Sequence, residues 1–234
     1  MSISAFWLKI IAIIGMALQH TALIFVDMLP MALLAPMQMA GGMVFPIFAF
    51  LLVEGYRRTS SMAKYLLRIY LFAMLSQIPF MLLFGGFNIL FTMGFGLIAL
   101  LGYDFLQRRW IFWVLFLVAF LGMAIFNFDW APIGLPIILM YRVIDDEFRR
   151  STAPAAFAGI FLLLGVYLPP LMDGAAFSPE MLFPLGCFIA MPLIWAYNGT
   201  RGPSLKILFY TFYPAHLTAI AAIAYFSGIL ELPF

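Results

Sequence analysis

Charge is what this chain has least of. Aspartate, glutamate, lysine and arginine make up 9% of its 234 residues, against 66% hydrophobic residues. A soluble domain carries about 25% charged residues, so this chain lacks the means to solvate its own surface. Its mean hydropathy of +1.09 agrees. There is one cysteine, Cys187, which excludes a disulfide within the chain. In its apolar run that thiol reads as a small buried hydrophobe rather than a nucleophile. There are two histidines, His20 and His216, and neither is grouped with cysteine or carboxylate at ligand spacing, so no metal site is expected. No long basic run and no soluble face are present, which excludes nucleic-acid binding. A phosphate-binding glycine loop and a nucleophile elbow are also missing.

What fills the space is long apolar runs. A bilayer span needs about 20 apolar residues, within roughly 17 to 25. Nine segments are predicted as spans: 6–28, 41–56, 66–84, 89–105, 110–126, 131–144, 155–171, 181–197 and 205–229. The expected fold is all-α, a polytopic transmembrane helix bundle forming a single integral-membrane domain over 1–234. The sixth segment is short and opens on "DWAPIGLP", whose prolines and glycine predict a broken or tilted helix. The first run exceeds a signal-peptide core of 7–15 residues and has only Lys9 as a basic flank, so it reads as a retained helix.

The few charges are sorted. Lysine and arginine favour the cytoplasmic side of short loops. Lys9 opens the first segment, and alternate loops carry Arg57, Arg58, Lys64 and Arg68, then Arg108 and Arg109, then Arg142, Arg149 and Arg150, then Arg201 and Lys206. That accounts for all 12 basic residues. The opposite loops hold Asp27, Asp129, Asp173 and Glu180. Nine spans with the amino terminus cytoplasmic satisfy this pattern, and losing or adding one span breaks it.

Both histidines lie in apolar helices. His20 is eleven residues beyond Lys9 and His216 ten beyond Lys206. At 1.5 Å per residue each ring falls about 15–17 Å from the inner interface, near the middle of a hydrocarbon core about 30 Å thick. Two readings stand. The rings are proton-handling groups in a polar cavity, or neutral hydrogen-bonding groups between helices. In "LFYTFYPAHL", Phe209, Phe212 and Tyr213 share a face with His216, either as a packing stripe or with Tyr213 orienting a substrate. Pro214 leaves the Tyr210 carbonyl without its helical donor.

Glu54 ends an apolar helix and is placed to pair with Arg57 or Arg58 one turn on. The basic loop that follows can hold an anionic ligand, since the arginine fork donates bidentate bonds, or can mark topology and touch anionic lipid. "YNGTRG", Tyr197 to Gly202, reads as a tight turn before the last helix. Its Asn-Gly-Thr matches a glycosylation acceptor, discounted because the expected topology makes it cytoplasmic.

The blocks "WLKIIAIIGMALQHTALIF", "FPIFAFLLVEGYRRT", "KYLLRIYLFAMLSQIPF", "NILFTMGFGLIALL", "YNGTRG" and "LFYTFYPAHL" occur in this order. Together they resemble the TraX family of bacterial inner-membrane proteins, over nearly the whole chain. The resemblance implies an acetyltransferase, whose founding member acetylates the amino terminus of a conjugative pilin. Acetyl-CoA would be the acyl donor, with no metal. His20 and His216 match motif histidines, and Glu54, Arg58, Tyr65, Arg68, Asn198, Arg201 and Tyr213 match motif polar positions. Under that expectation His216, His20, Tyr213 and Glu54 are catalytic candidates. Arg57, Arg58, Arg68, Tyr65, Asn198 and Arg201 are candidate donor-binding residues. The partners would be acyl-CoA, an amine or hydroxyl acceptor, and the lipid bilayer.

Three positions depart from the family pattern. Gln19 stands where Asp precedes the first histidine, Met43 where Arg follows Gly, and Gln77 where Glu precedes Ile-Pro. Stranding one member of a buried charged set costs about 3–5 kcal/mol, while replacing the whole set is often neutral, which makes a concerted loss intelligible. With Gln19 beside His20, the better candidate base is His216. Two other classes fit the composition: a transporter or channel using intramembrane histidines, and a non-catalytic membrane assembly factor.

Overall fold

The computed structural model describes residues 2–231, except for the side chain of Lys206. Helix dominates and no strand occurs among the described residues. The helices are α1 (Ala5–Ile24), α2 (Met31–Gly42), α3 (Val44–Arg58), α4 (Met62–Phe84), α5 (Ile89–Phe105), α6 (Arg109–Ile125), α7 (Gly134–Val143), α8 (Glu147–Leu162), α9 (Leu168–Met172), α10 (Phe183–Trp195) and α11 (Lys206–Phe226). Side chains set several starts. Asn88 Oδ1 caps α5 by accepting from the Leu90 amide at 3.0 Å, and Asp146 Oδ1 caps α8 by accepting from the Arg149 amide at 2.8 Å, each satisfying an otherwise orphaned donor.

Five stretches are long and apolar enough to cross a membrane: Ala5–Ile24, Met31–Arg58, Met62–Phe84, Glu147–Met172 and Ile207–Phe226. Four further apolar helices are shorter, Ile89–Phe105, Arg109–Ile125, Gly134–Val143 and Pro179–Trp195. The segments expected from sequence therefore recur as helices with three corrections. Residues 29–40 lie outside the expected spans, but α2 forms there and with α3 makes one 28-residue apolar stretch. The sixth segment shrinks to the 10 residues of α7, about 15 Å of helix and half of a hydrocarbon core. α8 also begins at Glu147, earlier than expected, and runs through a π-helical segment, Leu163–Tyr167, into α9.

Two compact units emerge, Met1–Phe50 with Ile144–Phe209, and Leu51–Val143 with Tyr210–Phe234. In the first unit α2 packs against both α1 and α10, and α10 against α8. Two glycines permit this: a Cβ on Gly42 would strike the Phe183 carbonyl, and one on Gly186 the Met39 carbonyl. The same approach lets Cys187 Sγ donate to the Gly42 carbonyl at 3.2 Å, so the thiol is buried and structural. The Thr200 and Arg201 carbonyls accept from the Ala5 and Phe6 amides at 2.9 and 3.1 Å, capping α1 with the turn before α11.

In the second unit α5 packs against α4, α6 and α7. The α4–α5 and α6–α7 loops are tied by backbone hydrogen bonds, the Phe87 amide donating to the Asn127 carbonyl at 3.0 Å and the Asp129 amide to the Phe87 carbonyl at 2.7 Å. Gly86 takes φ 69° against the Asn127 backbone, a conformation open to glycine. Charge is sorted along this unit as expected. Arg57, Arg58, Lys64, Arg68, Arg108, Arg109 and Arg142 belong to one end, and the loops joined by Phe87 and Asp129 carry no basic residue.

Candidate functional site

α11 continues unbroken through Pro214 and holds His216 by a contact one turn back. His216 Nδ1 lies 2.8 Å from the Phe212 carbonyl oxygen. A carbonyl only accepts, so Nδ1 carries the proton and the neutral ring has its lone pair on Nε2. The imidazole stacks on Phe212 at 4.9 Å and 15°, and meets the Tyr213 ring at 5.5 Å and 51°. Both His216 and Tyr213 are buried. The sequence placed these three on one face, and the structure brings them together.

Tyr213 leads to residues the sequence did not flag. Its phenol approaches the Ile89 amide at the start of α5 and lies in the electrostatic field of Asp129. Asp129 sits in the α6–α7 loop, its carbonyl accepting from the buried Thr92 hydroxyl at 2.6 Å. Beside it Phe128 stacks on Phe87 at 4.6 Å and meets Phe95 at 5.6 Å. Asp129 as a whole is only half-buried, but protein encloses its carboxyl group. That desolvation pushes the pKa up to about 7, although the Trp130 amide donates to the carboxylate and opposes the shift. The only sequence signal was an acid in a loop opposite the basic residues.

Gln77 adjoins this cluster. Its Nε2 donates to the Gly86 carbonyl at 2.7 Å, and its Oε1 accepts from Asn88 Nδ2 at 2.8 Å. Asn88 Nδ2 also donates to the Ala73 carbonyl at 2.8 Å. A neutral amide suits position 77 because it must both donate and accept, which an ionised glutamate cannot do.

The basic end of the second unit is a charge network. Glu54 pairs with Arg58 at 2.7 Å and Arg57 at 3.7 Å. Arg57 also donates to the Arg142 carbonyl at 3.1 Å. Arg142 grips Asp104 through Nε at 3.2 Å and NH2 at 2.9 Å, and the Tyr56 hydroxyl donates to the same carboxylate at 2.7 Å. Asp104, Arg142 and Tyr56 were not picked out from sequence, because their partners lie 38 and 48 residues apart. Nearby, the Arg68 guanidinium lies 5.8 Å from the Tyr65 ring centroid and 5.9 Å from that of Tyr210. Arg58 and Arg68 are exposed and Tyr65 is half-buried.

The remaining candidates belong to the first unit. His20 is buried in α1. Gln19 beside it packs its chain against Gly41, and Gln38 on α2 is also buried. Asn198 is exposed and turns its carbonyl oxygen to the Thr200 hydroxyl at 2.7 Å. Arg201, also exposed, donates to Ser204 at 3.2 Å. The side chain of Lys206, the expected depth mark for His216, lies outside the described residues. Among the described residues no group of histidine, cysteine and carboxylates can hold a metal ion.

These features define an all-helical membrane protein with an oriented histidine–tyrosine pair on its last helix. The family model described as TraX protein matches residues 4–224, and the chain belongs to that family. It is also similar to a Dichelobacter nodosus protein described as "Probable fimbrial assembly protein FimC, serogroup H1", with 28% identity over 239 residues, covering 94% of this chain and 95% of that one. No solved structure matches the chain.

Proposed function

We propose that the protein is an integral-membrane acetyltransferase of the bacterial inner membrane, moving an acetyl group from cytoplasmic acetyl-CoA to an amine or hydroxyl. The observation that carries the reading is the His216 geometry. With Nδ1–H held by the Phe212 carbonyl, Nε2 is the basic nitrogen, as a general base requires. The acceptor's N–H or O–H gives its proton to Nε2 while its heavy atom attacks the thioester carbonyl. The oxyanion that forms takes a hydrogen bond from Tyr213. Collapse breaks the C–S bond, and the coenzyme A thiolate takes the proton from the imidazolium.

At the basic end, Arg58 and Arg68 are the donor-binding residues. Both are exposed, and the Tyr65 and Tyr210 rings beside Arg68 offer aromatic surface next to a phosphate-binding fork. Arg57 has a supporting role, since it donates to the Arg142 carbonyl and so ties α3 to α7. Glu54 acts by orienting Arg58. His20, Asn198 and Arg201 are assigned no step in this scheme, and their substitution is a separate test. The relative's fimbrial-assembly name favours an acceptor of the pilus-subunit class. It equally suits a non-catalytic assembly factor, the second reading. Thermal stabilisation of the purified protein by coenzyme A supports the enzyme. No shift with coenzyme A or acetyl-CoA, and no transfer of labelled acetyl, leaves the assembly factor.

A further inference from the structure

The end of the second unit opposite the arginines is stepped. α4 runs to Phe84, yet the loop after it turns back along the helix, so that Gly86 and Asn88 bond to Gln77, and Asn88 to Ala73. At 1.5 Å per residue, α5 therefore starts about 10 Å below the end of α4. α11 shares this level, because Tyr210 stacks on Phe72 at 5.0 Å and Tyr213 approaches Ile89. α11 then continues to Phe226, about 20 Å further. The Phe87 bonds hold Asp129 on the same step. The result is a recessed shelf carrying Asp129, Tyr213 and the amino end of α5, with His216 about 4.5 Å higher, one turn along α11.

Among the described residues no lysine or arginine pairs with the Asp129 carboxylate, which acts on the buried Tyr213 phenol of the proposed reaction. The Asp129 main chain is fixed at two points, by Thr92 and by Phe87, and its carboxylate accepts from the Trp130 amide. The titratable group that faces it is Tyr213, and the His216 ring lies against Tyr213 one turn on.

We propose that Asp129 is the residue that positions the acceptor beside His216, and that the acceptor reaches this shelf from the face opposite the arginines. This rests on the acetyltransferase reading and gives that reaction two entrances, donor at the basic end and acceptor at the shelf. Asp129 accepts a hydrogen bond from the incoming amine or hydroxyl group. The proton transferred goes to His216 Nε2, the C–N or C–O bond forms as the C–S bond breaks, and Asp129 is unchanged by the turnover.

Two measurements on the full chain test this. With acetyl-CoA and a synthetic hexapeptide bearing a free amino terminus, Asp129→Asn raises the KM for peptide at least tenfold and leaves the KM for acetyl-CoA unchanged. An unchanged peptide KM, or a proportional change in both, overturns the positioning role. In a Cys187→Ser background, Asp129→Cys reacts with a membrane-impermeant maleimide from the face opposite that which labels Lys64→Cys. Labelling from the Lys64 face, or from neither face, overturns the entrance. If the unsubstituted protein transfers no acetyl group, the enzyme reading falls and the acceptor role with it, while the labelling still decides where the shelf opens.

Discussion

His216 Nδ1 sits 2.8 Å from the carbonyl oxygen of Phe212, four residues back on the same helix. That bond fixes the tautomer and, with the Phe212 ring stacked at 4.9 Å, fixes the ring plane. The same bond satisfies a ring N–H that burial would otherwise strand. An anchored imidazole with its basic nitrogen at Nε2 is suited to taking a proton repeatedly in one geometry.

His216→Ala is expected to lower kcat for acetyl transfer by about 10²–10⁴-fold, the usual contribution of a positioned base. Phe212→Ala keeps the carbonyl and loses only the stacked ring, so its loss is smaller. Coenzyme A binding, followed by thermal shift, stays intact in both.

Asp104 and Arg142 form the most complete ion pair of the basic end, with side-chain exposures of 18% and 30%. Removing one partner from a fully buried pair costs about 3–5 kcal/mol, so for this partly exposed pair Asp104→Ala should cost about 2 kcal/mol. Tyr56→Phe should cost about 1 kcal/mol, one hydrogen bond. Thermal unfolding in detergent checks the order. Equal stabilities would remove the network from the fold's support.

Gln77→Leu leaves the Gly86 carbonyl and one donor of the Asn88 amide without their side-chain partner. The cost is about 1–3 kcal/mol, and hydrogen exchange at Gly86 to Leu90 should rise with it. Exchange unchanged in that loop would mean that the amide does not hold the shelf in place.

Asp129 supplies a pH dependence. Its carboxyl pKa is raised from 3.8 to about 7, so between pH 4 and 7 the folded state binds more protons than the unfolded. Stability therefore falls as pH rises through that window. Asp129→Asn removes the penalty. Its Tm should exceed that of the unsubstituted protein at pH 8 and match it at pH 4, with about 2–4 °C expected per kcal/mol for a chain of this size. A difference independent of pH would contradict the desolvated carboxyl.

The sequence revealed what repeats locally. Apolar runs gave the helices, and Glu54 with Arg58 one turn on gave the ion pair at 2.7 Å. The shared face of Phe212, Tyr213 and His216 is equally local. α2 escaped because Pro30 and Pro36 look like loop punctuation, while Gly41 and Gly42 fell to the segment that follows. In the fold Pro30 precedes the helix, Pro36 lies inside it, Gly41 admits the Gln19 side chain and Gly42 the Phe183 backbone. Asp104 with Arg142, and Thr92 with Asp129, escaped for another reason. They join residues 38 and 37 apart, and no helical period links such positions. Asp129 was also misleading, since a loop carboxylate normally faces water and this one is enclosed.

The central claim is chemical, and labelled acetyl transfer tests it most directly. The purified protein, reconstituted in liposomes with radiolabelled acetyl-CoA and the free-amine hexapeptide, should yield labelled peptide, and His216→Ala should lose at least 99% of that rate while still being stabilised by coenzyme A. Unlabelled peptide with the unsubstituted protein, or a full rate with His216→Ala, would contradict it.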